Sequence, residues 1–289
     1  MFSVTGCATG STPASEGSEQ AAGCTIWHMI IRKLASGQTI AITQTDHSRL
    51  AGFFAAHWGN VTFAPLQPYE SVTRAAVFHD FGWLRYETQP EIEPATGKPY
   101  TFTSMPFRAE QLDAYQWCAD WLATVDQYSA LLVGMHRVGL WKSRYETISA
   151  PAWRSAPNLP QPILDFVDRE EPRQTQLRET FDANQVWTNY RLLQVWDLLG
   201  LYFTTRAPYD NAIEPVPVAY DSDIHSGVRM TLHPLDECRV ACDPYPFDVR
   251  PLELHIPYRA FDSETFPSNA AFRRAYFEAL PQMLTFQVE

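Results

Sequence analysis

His79 and Asp80 stand side by side, which puts an imidazole and a hard carboxylate where both can bind one divalent ion from the end of a helix. A bare His-Asp dipeptide is common, so the weight comes from its company. His47 lies upstream on the apolar side of a helical pattern, His136 lies between, and Asp197 lies downstream inside the run VWDLLGLYF. Asp197 falls where a core residue belongs, and no Lys or Arg stands three or four residues away on its own helix. A buried ionised carboxylate costs several kcal/mol unless it is paired, which a metal ion or an Arg from elsewhere in the fold would achieve.

Each of these residues also has a plainer explanation. An isolated His47 would be a half-buried histidine bonded to a carbonyl. His136, in the last turn of a helix, is served equally well by the macrodipole and free carbonyls. Asp46 is a favourable first-turn acid, and His57, His225, His233 and His255 have no partner at ligand spacing and read as structural or exposed. Asp221, Asp223, Asp236 and Asp243 lack the spacing of a calcium loop and read as turn residues. Trp83, Tyr86, Phe102, Phe107, Trp141 and Tyr145 could wall an organic substrate, although core packing is the default for most of them.

The elements that must carry these side chains follow from periodicity. A short strand over 38–42 precedes Thr43 to Asp46, which suit a helix start. Leu50, Phe53, Phe54 and Trp58 then mark a helix over 45–58 stopped by Gly59. Val72, Ala75, Ala76 and His79 mark a second, short helix that ends in HDFGW, with Gly82 as its stop. The proline-rich segment 88–106 reads as an irregular loop and a lid candidate. Helices are expected over 107–124, over 127–138 (capped by Asp126 and closed by Gly139), over 163–180 and over 183–204, with a proline-rich connection at 151–162. Beyond Pro208, alternation in Val228, Met230, Leu232 and in Leu252, Leu254, Ile256 predicts a small antiparallel sheet, followed by a helix over 268–280 and a strand over 283–288.

The expected fold is therefore mainly α. It has a Gly/Ser/Ala-rich disordered leader over 1–28, a helical metal-binding domain over 38–207, and a C-terminal α+β extension over 208–289 packed on that domain. The apolar fraction of 45% in 289 residues is ample for a core. A formal charge of −11 disfavours nucleic acid, whose binding rests on Lys and Arg. No apolar run reaches the ~20 residues of a membrane span. Cys7, Cys24, Cys118, Cys238 and Cys242 form no even framework, so reduced cysteines and a cytoplasmic location are the default. The leader lacks the basic start and long apolar stretch of a signal peptide, and Met29 is an alternative start.

The series His47, His79-Asp80, Asp197 resembles the HD superfamily of metal-dependent phosphohydrolases over about residues 40–205. The stretches TQTDHSRLAG, FHDFGW, YSALLVGMHRVGL and LLQVWDLLGLY look like an uncharacterised bacterial family of HD-like proteins, and that closer resemblance extends through the C-terminal strands. The resemblance implies an HD-like helical domain in which His47, His79, Asp80 and Asp197 hold one divalent ion (Mn, Fe, Mg, Co, Ni or Zn). His136 would serve a second metal or the substrate, and Asp80 would have a bridging or water-activating role.

The resemblance also implies hydrolysis of a small, anionic, phosphorylated or nucleotide-like substrate by metal-activated water. Many two-metal relatives carry extra histidines where this chain has only His136, which favours one ion. Some relatives place a Lys after the HD pair, where this chain has Phe81, Gly82 and Trp83. Arg137 and Arg85 are the preferred replacements for that cation, ahead of Lys142 and Arg49. A diiron oxygenase and a non-catalytic metal-containing sensor are the alternative readings, and neither nucleic acid nor membrane is an expected partner.

Overall fold

The computed structural model describes residues 29–101, 104–149 and 159–289. The leader over 1–28, Phe102 and most of the 151–162 connection lie outside the described residues.

Two short strands open the described chain, β1 (Ile30–Lys33) and β2 (Thr39–Ile42), the second buried along its whole length. They form an antiparallel hairpin with Ile30 opposite Ile42. The chain turns at once into α1 (Gln44–Ala56), where the Thr43 hydroxyl accepts from Asp46 N at 2.9 Å and caps the helix. Next come α2 (Tyr69–Phe78), a 3-10 turn over Phe81–Trp83, and the single turn α3 (Leu84–Glu87).

Four longer helices follow: α4 (Glu110–Ala123), α5 (Gln127–Trp141), α6 (Gln161–Arg178) and α7 (Ala183–Thr205). Asp126 caps α5 through Tyr128 N and Ser129 N. Helix α5 packs against α2, α4, α6 and α7, while α1 packs against α2 and α7. Gly139 lies inside α5 and does not close it. A Cβ there would come 1.9 Å from Tyr190 Oη, so this glycine serves the close approach of α7.

The expectation of a mainly α fold with a small C-terminal sheet is overturned. The structure is mixed, 46% helical and 19% strand, with one curled half-barrel sheet of seven strands. Its remaining strands are β3 (Asn211–Val216), β4 (Val228–Pro234), β5 (Arg239–Asp243), β6 (Leu252–Phe261) and β7 (Gln282–Val288), and α8 (Asn269–Glu278) lies between the last two. The strand order is β1-β2-β6-β7-β5-β4-β3. The ten-residue β6 is long enough to pair on both edges, with β7 along Leu252–Tyr258 and with β2 through Arg259, Ala260 and Phe261. The N-terminal hairpin thereby joins the C-terminal strands in one sheet.

Strand β7 runs antiparallel to β6, from which α8 separates it, and parallel to β5, with Arg239 opposite Gln287; the crossover that a parallel pair needs runs through β6 and α8. One hydrophobic core reaches from Ile30 through α1, α5 and α7 to Val288. The described part of the lid candidate is docked on α8: Asn269 Oδ1 accepts from Ile92 N at 2.8 Å, and Arg273 Nε donates to Pro90 O at 3.0 Å. Gly97, at φ 71°, lies where a Cβ would meet Phe266 O at 2.9 Å.

Candidate metal centre

Four separate stretches of chain bring the candidate ligands together. His47 comes from the second turn of α1, His79 follows the last residue of α2, Asp80 opens the 3-10 turn, His136 is in α5 and Asp197 is in the middle of α7. All five are buried, between 0% and 4% exposed. Ligand atoms of His47, His79 and Asp80, and likewise of His79, His136 and Asp197, lie within 4.8 Å of one another. His47 Nε2 is 3.1 Å from Asp197 Oδ1, and His79 Nε2 is 3.6 Å from Asp80 Oδ2 and 3.7 Å from Asp197 Oδ1. Bonds of about 2.1 Å to one ion would set neighbouring ligand atoms about 3.0 to 3.4 Å apart, so this spacing suits a shared cation with small adjustments.

Hydrogen bonding determines the direction in which His79 acts. Its Nδ1 is 2.8 Å from Ala76 O, and a carbonyl only accepts, so Nδ1 carries a proton. The Ser48 hydroxyl, also 3.1 Å from Nδ1, donates to Val77 O at 2.8 Å and accepts from Asp80 N at 3.2 Å, which ties the HD turn to α1. His79 Nε2 is then left buried, without a hydrogen-bond partner, facing two carboxylate oxygens. In a neutral imidazole that atom is a lone pair set against two more lone pairs, a conflict that a shared cation relieves, whether a metal ion or a proton on Nε2.

The remaining carboxylate oxygens are held by arginines. Arg137 donates to Asp80 Oδ1 and to His79 O, the latter at 3.0 Å, and stacks on the Tyr115 ring at 3.7 Å. Arg144 Nη2 donates to Asp197 Oδ2 at 3.0 Å, and its Nη1 donates to Gln194 Oε1. Each aspartate therefore has one oxygen on a guanidinium and one toward the histidines. With neutral imidazoles, two carboxylates and two guanidiniums sum to no charge, so a divalent ion would leave the buried centre at +2.

Electrostatic shifts follow from this packing. Burial works to lower His79, but Asp80 and Asp197 outweigh it and hold the imidazole above its ordinary value. Burial pushes His136 well below the ordinary range and keeps it neutral. Burial works to raise Asp197, yet the hydrogen bond from His47, the adjacent His79 and the Arg144 guanidinium hold it well below the usual carboxylate range. Glu87 lies away from the cluster, where it accepts from Thr45 N at 3.0 Å and Thr45 Oγ1 at 2.6 Å and so holds the first turn of the helix that carries His47. Burial pushes its carboxyl up to about 7.

Of the cations considered from sequence, the structure brings only Arg137 into the cluster. Arg85 is exposed on α3, Arg49 pairs with Asp46 at 2.9 Å, and Lys142 pairs with Glu171 at 2.5 Å. Sequence reasoning missed four residues: Ser48, Gln194, Arg144 and Gly200. Ser48 and Gln194 had a readable signal, standing next to His47 and one helical turn before Asp197. Gly200 is also one turn from Asp197, and a Cβ there would come 2.7 Å from His47 Cε1 and Nδ1, so its absence makes room for the ring.

Arg144 carried no such signal. It reaches the centre from a 3-10 turn over Ser143–Glu146 whose four residues all have positive φ, 51° to 58°, a conformation that L-residues avoid. Two clefts flank the region. One of about 160 Å³ is lined by Tyr115, Gly134, Arg137, Phe166 and Gln174. The other, about 310 Å³, lies beside the first turn of α1 and includes Thr45, Arg49, Glu87 and Tyr276.

Among the described residues, no helix is long and apolar enough to cross a membrane. Comparison with curated proteins and with solved structures gave no match. A family model does match, over residues 29–263, a span that includes every candidate ligand as well as Arg144 and Gln194. The chain belongs to the family described as "Protein of unknown function (DUF3891)".

Proposed function

We propose that the protein is a metal-dependent hydrolase of the HD type that acts on a small anionic substrate, phosphorylated or nucleotide-like. The observation that carries this reading is His79 Nε2, buried without a hydrogen-bond partner 3.6 and 3.7 Å from one oxygen each of Asp80 and Asp197, in a cluster of two triads whose ligand atoms lie within 4.8 Å of one another. His47, His79, Asp80 and Asp197 would hold the ion. A divalent ion so held would lower the pKa of coordinated water and polarise an oxygen of the substrate.

The protein's own groups supply positioning. The Ala76 carbonyl orients His79, and oriented partners of this kind sharpen metal affinity. Arg137 and Arg144 each hold one oxygen of a carboxylate and leave the other aimed at the histidines. The sum of charges supports the anionic substrate: a neutral set of residues becomes +2 with the ion, and a buried excess of that size needs a counter-charge. Arg137 also lines the 160 Å³ cleft, which makes it the cluster cation nearest to a ligand arriving from that side.

The test is metal analysis of the purified protein, followed by titration with Mn, Fe, Co, Ni, Mg and Zn and a screen of phosphomonoesters and nucleotides. About one ion per chain, turnover that depends on it, and loss of both in His79→Ala and Asp80→Ala are the expected results. A protein that retains no ion and takes none up on titration would end this reading.

A further inference from the structure

We infer that His136 is a fixed hydrogen-bond donor to an oxygen of the anion bound beside the metal, and not a ligand of the metal, with its tautomer set by Gln194 and Arg144. The inference rests on the metal-site reading above and assigns a role to His136, which lies in the cluster but is not among the ligands of that reading.

The argument runs along a chain of atoms. Guanidinium groups only donate, so the Gln194 amide atom facing Arg144 Nη1 is its oxygen. Arg144 cannot readily turn away, because its Nη2 is held by Asp197 Oδ2 at 3.0 Å. The other end of the same amide, the Nε2 amino group, is 2.8 Å from His136 Nδ1. An amino group only donates, so His136 Nδ1 accepts with its lone pair, and the proton of the neutral ring sits on Nε2. Neither nitrogen then offers a lone pair to an ion: one is engaged by Gln194, the other carries hydrogen.

The ring stands edge-on to His79, with centroids 4.9 Å apart, within the cluster. A buried N–H requires an acceptor. Three of the four oxygens of Asp80 and Asp197 already accept from His47, Arg137 and Arg144, and the acceptor assigned to His136 Nε2–H is an oxygen of the anion bound beside the metal. The left-handed turn fits this role. Four consecutive residues at positive φ hold one arginine so that it touches Asp197 and Gln194 together, and through them a metal ligand and the orientation of His136.

Histidine-selective ¹⁵N–¹H correlation on the intact protein, loaded with zinc or magnesium and also free of metal, reads the tautomer without any mutation. A protonated Nε2 and a bare Nδ1 on His136 are expected, and a protonated Nδ1 overturns the inference. Metal titration gives the second readout. His136→Ala should keep its zinc affinity within about threefold of the parent, whereas His47→Ala should lose about tenfold or more; equal losses in the two variants would make His136 a ligand.

The third readout is inorganic phosphate binding to the metal-loaded protein. His136→Ala should weaken it about tenfold or more, as expected for a lost charge-assisted bond. Gln194→Glu, which places only acceptors against Nδ1, should reverse the tautomer and weaken phosphate while sparing the metal. Phosphate binding that is absent in the parent, or unchanged in both variants, refutes the donor role. A protein that takes up no metal yet shows the Nε2–H tautomer refutes the metal reading instead and leaves the relay intact.

Discussion

Gly200→Ala isolates the geometry of the centre with the smallest possible change. A Cβ at that position would lie 2.7 Å from His47 Cε1 and Nδ1, against an ordinary contact of roughly 3.5 Å or more, so the ring must retreat by about 1 Å. The α1 backbone is not forced to move, since His47 O would be 3.6 Å from the new atom. Metal–ligand distances tolerate only about 0.2 Å, and a displaced ligand removes much of its contribution. The expected loss of metal affinity is about tenfold to a hundredfold. Stability should change little by comparison. Overpacking costs about 1–3 kcal/mol, while alanine in a helix interior recovers about 1 kcal/mol relative to glycine. Competition for zinc or manganese against a chromophoric chelator measures the first effect, and urea denaturation of the metal-free protein measures the second. A variant that folds normally and binds metal within threefold of the parent would refute the placement of His47 among the ligands.

Three further predictions concern charge. Burial raises the Glu87 carboxyl from 4.5 to about 7, so the folded state holds this proton more tightly than the unfolded state does, and its contribution to stability is complete below pH 4.5 and lost as pH rises through 7. That shift corresponds to about 3 kcal/mol, less up to about 1 kcal/mol returned by the positive end of α1. Glu87→Gln should thus be about 2–3 kcal/mol more stable than the parent at pH 8 and nearly equal at pH 4.5; a difference in denaturation free energy that does not vary with pH contradicts this. Arg144→Ala leaves the buried Asp197 carboxylate without its guanidinium partner on Oδ2 and should cost about 3–5 kcal/mol in the metal-free protein, while a loss under 1 kcal/mol would show that the pair does not anchor the centre. Chelation should lower the melting temperature on the order of 5 °C from a state at a hundredfold excess of metal over Kd, and a melting curve indifferent to chelator and to added ion would count against a folded-state site.

Local sequence determined more of the site than of the fold. A cap such as Thr43 or Asp126 acts within one helical turn, and a buried stripe repeats within one helix, so the starts of α1 and α5 and the inward placement of His47 and Asp197 were legible from neighbours along the chain. The sheet was not, because pairing depends on which strand edges meet. The alternation in Leu252–Phe261 announces a strand but does not say that its far edge takes Thr39–Ala41, more than 200 residues earlier, and that pairing turned an expected C-terminal appendage into a seven-stranded sheet.

The counter-charges divide in the same way. An unpaired Asp197 at a core position was visible as an electrostatic problem, and the resemblance to HD proteins suggested a metal as its answer. Only the tertiary structure brought Arg144 to it across 53 residues of chain, from a left-handed turn that no propensity favours. Composition and periodicity thus determined which side chains must be buried. Their partners were decided by packing, because the cost of burying a charge is local whereas its compensation can come from any element that the fold places within hydrogen-bond reach.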